Sequence, residues 1–256
     1  MKFLYKICFL SAMSLLASCS TTNEPVDPAL IAQANQSNNS NPGSNPISAV
    51  GDYWPTALNN QWIYRENGVL QPANKIISIN QINGLTYYTF NSAPGASSTG
   101  GTQGPVARLR KTSGDYFFKI EDFVQTTPFG SVTQTGYEFI ILKDYLSVGQ
   151  TWTGSYVQNT TFNVPGIPPI LTSTAYTGTI IEKGVSLQVG GVTFTDVIKV
   201  RYQDVVSIAG VPSPDDNIDA FYWFAKNKGL IRYDDVVTLN GTTTTTTSTL
   251  DSFILN

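Results

Sequence analysis

Beyond residue 50, apolar and polar positions alternate in short runs, and no apolar spacing of helical period persists for twelve residues, so the pattern predicts strands. The runs rich in Val, Ile, Thr and aromatic residues are Gln61–Glu66, Lys75–Ile82, Leu85–Phe90, Val106–Lys111, Asp115–Phe123, Tyr137–Lys143, Thr151–Gln158, Ala175–Glu182, Val192–Tyr202, Ala220–Lys226, Leu230–Leu239 and Thr242–Ile254. Asn83-Gly84, Gly190-Gly191 and Asn240-Gly241 punctuate them, pairs that accept the positive φ of a tight hairpin. The expected fold class is therefore all-β and mainly antiparallel, either a curved sheet or half-barrel or a sandwich. The threonine run Thr242–Thr247 has good strand propensity and is expected to return from the last hairpin at a sheet edge.

Three signals recur in the same order. Leu58-Asn59-Asn60-Gln61-Trp62 is echoed by Val148-Gly149-Gln150-Thr151-Trp152. Ile82-Asn83-Gly84-Leu85-Thr86-Tyr87 is echoed by Val189-Gly190-Gly191-Val192-Thr193-Phe194, and the turn Lys111–Tyr116 by the turn Lys226–Ile231. The order predicts two meanders, residues 53–143 and 144–256, within a domain spanning 51–256. With no linker between them and only about a hundred residues each, they are expected to share one core.

Residues 1–18 have the plan of a signal peptide: Lys2 and Lys6, an apolar stretch from Ile7 to Ala17, then small residues. Leu16-Ala17-Ser18-Cys19 resembles the lipobox of bacterial lipoproteins at all four positions. That resemblance implies cleavage before Cys19 and acylation of its thiol and new amino group, giving a stable bilayer anchor. Cys8 would leave with the signal, so the mature chain would keep Cys19 alone and form no internal disulfide. Ser20, where enterobacterial sorting places Asp for inner-membrane retention, favours the outer membrane, facing periplasm or exterior. Residues 19–50, rich in Asn, Ser and Pro, read as a flexible tether with a reach of roughly 30 Å.

Tyr53-Trp54-Pro55, Trp62-Ile63-Tyr64 and the late Gly229-Leu230-Ile231-Arg232-Tyr233 are similar to segments of uncharacterised outer-membrane lipoproteins of Bacteroidetes. The position three before the first Trp, usually Gly in that set, is Asn59 here. The resemblance implies an exported β-sheet domain and no activity; likeness to the half-barrels of lipoprotein carriers is analogy at the level of fold.

Charge and chemistry narrow the functions. Fifteen Lys and Arg against eighteen Asp and Glu leave a net charge of −3, with no basic stripe to neutralise phosphates, so nucleic acid is not an expected partner. The absence of histidine removes the usual general base and the central member of Ser-His-Asp or Cys-His catalysis. Carboxylates remain, at Glu66, Asp115, Glu121, Asp122, Glu138, Asp144, Glu182, Asp196, Asp204, Asp234 and Asp235, but nothing in the sequence selects a pair among them. Asp215, Asn217 and Asp219 imitate the start of a calcium loop, which then fails at Ala220 and Lys226, so they are weak metal candidates and no cofactor is expected. Phe221-Tyr222-Trp223-Phe224 puts aromatic rings on both faces of one strand; one face suits a core and the other a concavity. Trp54, Tyr222, Trp223 and Phe224 are the candidate ligand-binding residues.

The resulting expectation leans away from an enzyme, toward a membrane-anchored envelope lipoprotein whose β domain binds an apolar molecule, a glycan or a partner protein. A glycan-uptake accessory, a carboxylate-based glycoside hydrolase and a structural subunit of an envelope assembly remain the alternatives. The last requires the Thr-rich edge to be open to a partner strand.

Overall fold

A computed structural model describes residues 49–92, 105–127, 130–164, 166–212, 217–239 and 241–256. The signal peptide, Cys19, nearly all of the tether and Asp215 lie outside them. Among the described residues there is no helix. The strands are β1 (Gln61–Glu66), β2 (Val69–Leu70), β3 (Asn74–Ile82), β4 (Leu85–Phe90), β5 (Ala107–Thr112), β6 (Asp115–Ile120), β7 (Phe123–Thr127), β8 (Gly130–Gln134) and β9 (Tyr137–Lys143), followed by β10 (Thr151–Phe162), β11 (Ile170–Val189), β12 (Val192–Ile208), β13 (Val211–Pro212), β14 (Asn217–Ala225), β15 (Gly229–Leu239) and β16 (Thr242–Ile254). They form one open, wholly antiparallel sheet in the order β7-β8-β10-β11-β12-β14-β15-β16-β1-β3-β4-β5-β6-β9, with β2 and β13 as short side pairings.

The order contains two six-strand meanders, β1-β3-β4-β5-β6-β9 and β10-β11-β12-β14-β15-β16, joined where β16 pairs with β1. Each recurring sequence signal occupies the same place in both. Trp62 and Trp152 lie on the first strand of each meander, Asn83-Gly84 and Gly190-Gly191 between the second and third, and Ser113-Gly114 and Asn227-Lys228 between the fourth and fifth. The entry turn is built twice with the same hydrogen bonds. Asn59 N–H donates to Ile76 O as Gly149 N–H does to Ile180 O, and Ile76 N–H donates to Asn60 O as Ile180 N–H does to Gln150 O. Asn59 at φ 70° and Gly149 at φ 84° share the left-handed conformation, which Asn tolerates among residues bearing a side chain. The Gly-to-Asn departure thus keeps the turn.

One hydrophobic core spans both meanders, with Trp54, Trp62, Phe90, Phe118, Ile180, Ile198 and Phe224 at its centre. Because up-and-down strands alternate direction, the turns at Asn83, Ser113, Gly190 and Asn227 gather at one end, and so do residue 49 and the C-terminus. Strand ends Glu66, Phe90, Ile120, Phe162, Ile208 and Leu239 mark the far end. Residues 49–54 cross the first end and hold both meanders: Asn227 N–H donates to Asp52 O, Tyr116 Oη donates to Gly51 O, Tyr53 Oη donates to Asp196, and Lys111 Nζ donates to Asp52 and to Trp54 O.

The threonine strand corrects one expectation. Thr242–Thr249 pairs with β15 and Ser248–Ile254 with β1, the two ladders overlapping at Ser248 and Thr249, so the strand joins two neighbours instead of ending the sheet. Leu250 and Phe253 draw this strand inward by packing into the core, so the sheet ends at β7 and β9 instead.

Candidate functional site

The repeat predicts that β9, the last strand of the first meander, should pair with β10, the first of the second, as β16 pairs with β1. It does not. The hairpin β7-β8, inserted before β9, takes the edge of β10 through Thr160↔Gln134 and Phe162↔Val132. Side chains close the seam instead. Ile140 N–H of β9 donates to Tyr176 Oη at 3.2 Å, and Trp152 Nε1–H donates to Ile140 O at 3.1 Å, which satisfies edge groups that would otherwise face the interior unpaired.

Along this seam the inner face carries one aromatic residue per strand: Tyr156 on β10, Tyr176 on β11, Tyr202 on β12 and Tyr222 on β14. Successive ring centroids are 6.4, 5.5 and 5.8 Å apart. Phe139 of β9 meets Tyr176 and Tyr202 edge-on from across the seam, at 6.1 and 5.8 Å. Glycines on neighbouring strands make room for these rings. A Cβ at Gly178 would lie 2.3 Å from the Trp152 indole, and one at Gly154 would lie 2.3 Å from the Tyr176 hydroxyl. Gly178→Ala is expected to cost about 1–3 kcal/mol of stability by displacing the indole that holds Ile140, and chemical denaturation of the variant checks this. A loss below half a kilocalorie would show that the ring shifts freely.

Two residues along from Tyr202 and Tyr233, toward the far end, Asp204 and Asp235 follow on the same face. With Ile218, Ala220 and the rings they line a cleft of about 450 Å³, counting the part open to solvent. The enclosed part admits only groups the size of water. Its lining contains no Lys or Arg. Burial, then the nearby charges of Asp235 and Asp219, push the Asp204 carboxyl up to about 7. Burial likewise holds the Tyr202 and Tyr222 hydroxyls well above the usual phenol range, so both stay protonated at neutral pH. The inner face beyond the rings is polar as well, with Gln134, Gln158, Thr160, Thr172 and Thr174 buried.

Of the four aromatic residues singled out by sequence, Tyr222 lines this cleft. Trp54 and Phe224 are core side chains, 1% and 0% exposed, and have no surface to offer a ligand. Trp223 points outward with Phe221, and that face is covered: Lys199 Nζ and Arg232 Cζ lie 5.0 and 4.7 Å from the Trp223 ring centre. Asn217 and Asp219 belong to strand β14 and not to a loop, and Asp219 is held by Arg201 through two bonds of 3.0 and 2.9 Å. No group of metal-binding side chains occurs among the described residues. Sequence reasoning overlooked Phe139, Tyr156, Tyr176 and Tyr202. For two of them a signal was present, a Gly paired across strands with the ring, Gly154↔Tyr176 and Gly178↔Tyr202; Phe139 and Tyr156 face Phe118 and Thr174 and carried none.

No family model matches the chain, and no curated protein is significantly similar to it. Among solved structures, a candidate lipoprotein from Parabacteroides distasonis is similar at 12% identity with a TM-score of 0.52, covering 80% of this chain and 99% of that one. A candidate exported protein with a YmcC-like fold from Bacteroides fragilis is similar at 10% identity with a TM-score of 0.48, covering 80% and 100%. The first of these shares the fold.

Proposed function

We propose that this chain is a lipid-anchored envelope protein whose β domain holds a small ligand in the cleft between the two meanders. The observation that carries the reading is the cleft itself: a row of four tyrosines on adjacent strands leading to Asp204 and Asp235. Stacked aromatic walls with a few convergent polar groups are the usual form of a small-molecule site. The lipobox at Cys19 supplies the anchor, and the lipoprotein-type neighbour with the same fold supports it. Residue 49 enters at one end of the roll and the cleft lies toward the other, so a tether from Cys19 would hold the cleft away from the bilayer.

Two measurements test this. Cys19→Ala is expected to move the protein from the membrane fraction to the soluble fraction and to abolish metabolic labelling by palmitate; unchanged labelling defeats the anchor. Screening the full chain in detergent against neutral, anionic and cationic small molecules by intrinsic tyrosine fluorescence should find saturable ligands that Tyr222→Ala weakens at least tenfold. If every ligand found is indifferent to Tyr222, the cleft is not the site.

One observation favours a second reading, hydrolysis of a glycan: the structure selects Asp204 and Asp235 from the eleven carboxylates, and one of them is held near neutrality, as a general acid must be. The water-sized enclosure beside them weighs against a sugar ring there. Turnover of nitrophenyl glycosides that Asp204→Asn abolishes would establish hydrolysis over binding.

A further inference from the structure

We propose that Tyr137 and Tyr156 form a site of oxidative cross-linking, at which a carbon–carbon bond joins the two phenol rings and closes the seam between β9 and β10. The proposal is independent of whether the cleft holds a ligand.

Geometry selects this pair. The ring centroids of Tyr137 and Tyr156 are 4.2 Å apart and their planes are inclined by 15°. The neighbouring tyrosine pairs are wider and more inclined: 6.4 Å and 37° for Tyr156 with Tyr176, 5.5 Å and 35° for Tyr176 with Tyr202, and 5.8 Å and 89° for Tyr202 with Tyr222. Phenoxyl radicals couple through the faces of the ring carbons ortho to oxygen, because each carbon becomes tetrahedral as the bond forms. A near-parallel stack in van der Waals contact presents those faces to each other, and an edge-on pair does not. Phe139 packs beside both rings, 6.1 Å from Tyr137 and 6.3 Å from Tyr156, and without a hydroxyl it does not compete for the coupling.

Position gives the bond a consequence. Tyr137 is on β9 and Tyr156 on β10, the two strands that meet without ladder pairing and are held by the hydrogen bonds of Tyr176 and Trp152 to Ile140. Exported domains are ordinarily stapled by disulfides. Here both cysteines, Cys8 and Cys19, precede β1, so no disulfide can close the seam. Tyr156 is half-buried, and its ring can pass an electron to an oxidant in solution; Tyr137 is 9% exposed and is oxidised through the stack.

The chemistry balances with a peroxide as the oxidant. Each phenol gives up one electron and its hydroxyl proton. The two phenoxyl radicals form one bond between ortho carbons, and the hydrogens on those carbons move to the oxygens, restoring both aromatic rings and both hydroxyls. Two electrons and two protons have then left the protein. One hydrogen peroxide takes them up and becomes two waters, with a haem peroxidase passing the electrons singly. The new bond restricts the unfolded chain as a disulfide between the same residues would, and so stabilises the roll.

The test treats the full chain in detergent micelles with a haem peroxidase and limiting hydrogen peroxide, then digests the monomer for mass spectrometry. The expected result is one principal cross-link within the monomer, the Tyr137 and Tyr156 peptides joined with the loss of two hydrogen atoms, together with a higher urea midpoint than the untreated chain. Tyr137→Phe and Tyr156→Phe, whose retained fold is checked by circular dichroism, should each lower the biphenol fluorescence of the monomer at least tenfold, while Tyr88→Phe leaves it unchanged. Photo-oxidation with ruthenium tris-bipyridine and persulfate repeats the experiment with a small oxidant, and absence of the product under both oxidants overturns the site. A principal cross-link between any other pair overturns it too, as do cross-links formed only between molecules. The expected product without a rise in the urea midpoint overturns the closing of the seam.

Discussion

Trp54→Ala is expected to lower the unfolding free energy by about 3–5 kcal/mol, the cost of emptying a large aromatic site in a close-packed core. Trp54 is 1% exposed and lies 5.9 Å from Phe90, 6.0 Å from Phe118 and 5.8 Å from Phe224, so its ring touches both meanders at once. The surrounding strands cannot close over the void, because their separation is set by ladder hydrogen bonds. The effect should extend beyond the void. Residues 49–54 tie the Asn227 turn of one meander to Lys111 and Tyr116 of the other, and the ring is what seats that segment. Urea denaturation measures the change, with the slope unaltered if the folded state stays compact. A loss below about 1 kcal/mol would mean that the segment merely lies on the surface of an already complete core.

Asp204→Asn is expected to do the opposite and stabilise the domain at pH 8 while weakening the site. A carboxyl held near 7 in place of its ordinary 3.8 ionises less readily folded than unfolded. Between about pH 4 and pH 7 the folded state therefore binds more protons than the unfolded one, and stability falls as pH rises through that window, then levels off. At about 1.4 kcal/mol per pH unit the full effect is at most about 4 kcal/mol, an upper bound because the part of the cleft open to solvent screens the group. Asp144 adds to the same slope, since burial outweighs the backbone N–H groups of Val50 and Gly51 and raises its carboxyl too. The variant should thus flatten the pH profile in part, with the residual slope belonging to Asp144. Melting temperatures of wild type and variant at pH 5 and pH 8 test this. A wild type that gains stability from pH 5 to pH 8, or a variant no more stable than wild type at pH 8, contradicts it. A stability gain paired with lost binding would mark Asp204 as a residue kept for function.

Both predictions depend on which side chains face inward, and this was only half legible in the chain. The strands could be read because β-branched and aromatic runs between Gly and Asn turns are local signals. The twofold order could be read as well, because a turn that demands positive φ selects Asn59 and Gly149 wherever it occurs. Along the outer parts of β10, β11 and β12, however, the usual inference from polarity reverses. Val157, Leu171 and Val205 are exposed, while Gln158, Thr160, Thr172 and Thr174 are buried. Trp152, Tyr176 and Tyr202 fix the facing of each strand where the core is dense, and strict alternation carries that facing outward whatever residues follow. Polar groups are thereby placed inside, which is why the site was invisible to a reading that puts apolar residues there.

By itself, then, the sequence determined the all-β class, the antiparallel hairpins and the two like-ordered meanders, since each is written in neighbouring residues. Only the tertiary structure decided that β7-β8 displaces β9 from β10, that Trp54 and Phe224 are core while Tyr222 is not, and that Asp204 and Asp235 share a cleft. Strand closure and facing depend on pairings between residues far apart in the chain, and no local pattern encodes those.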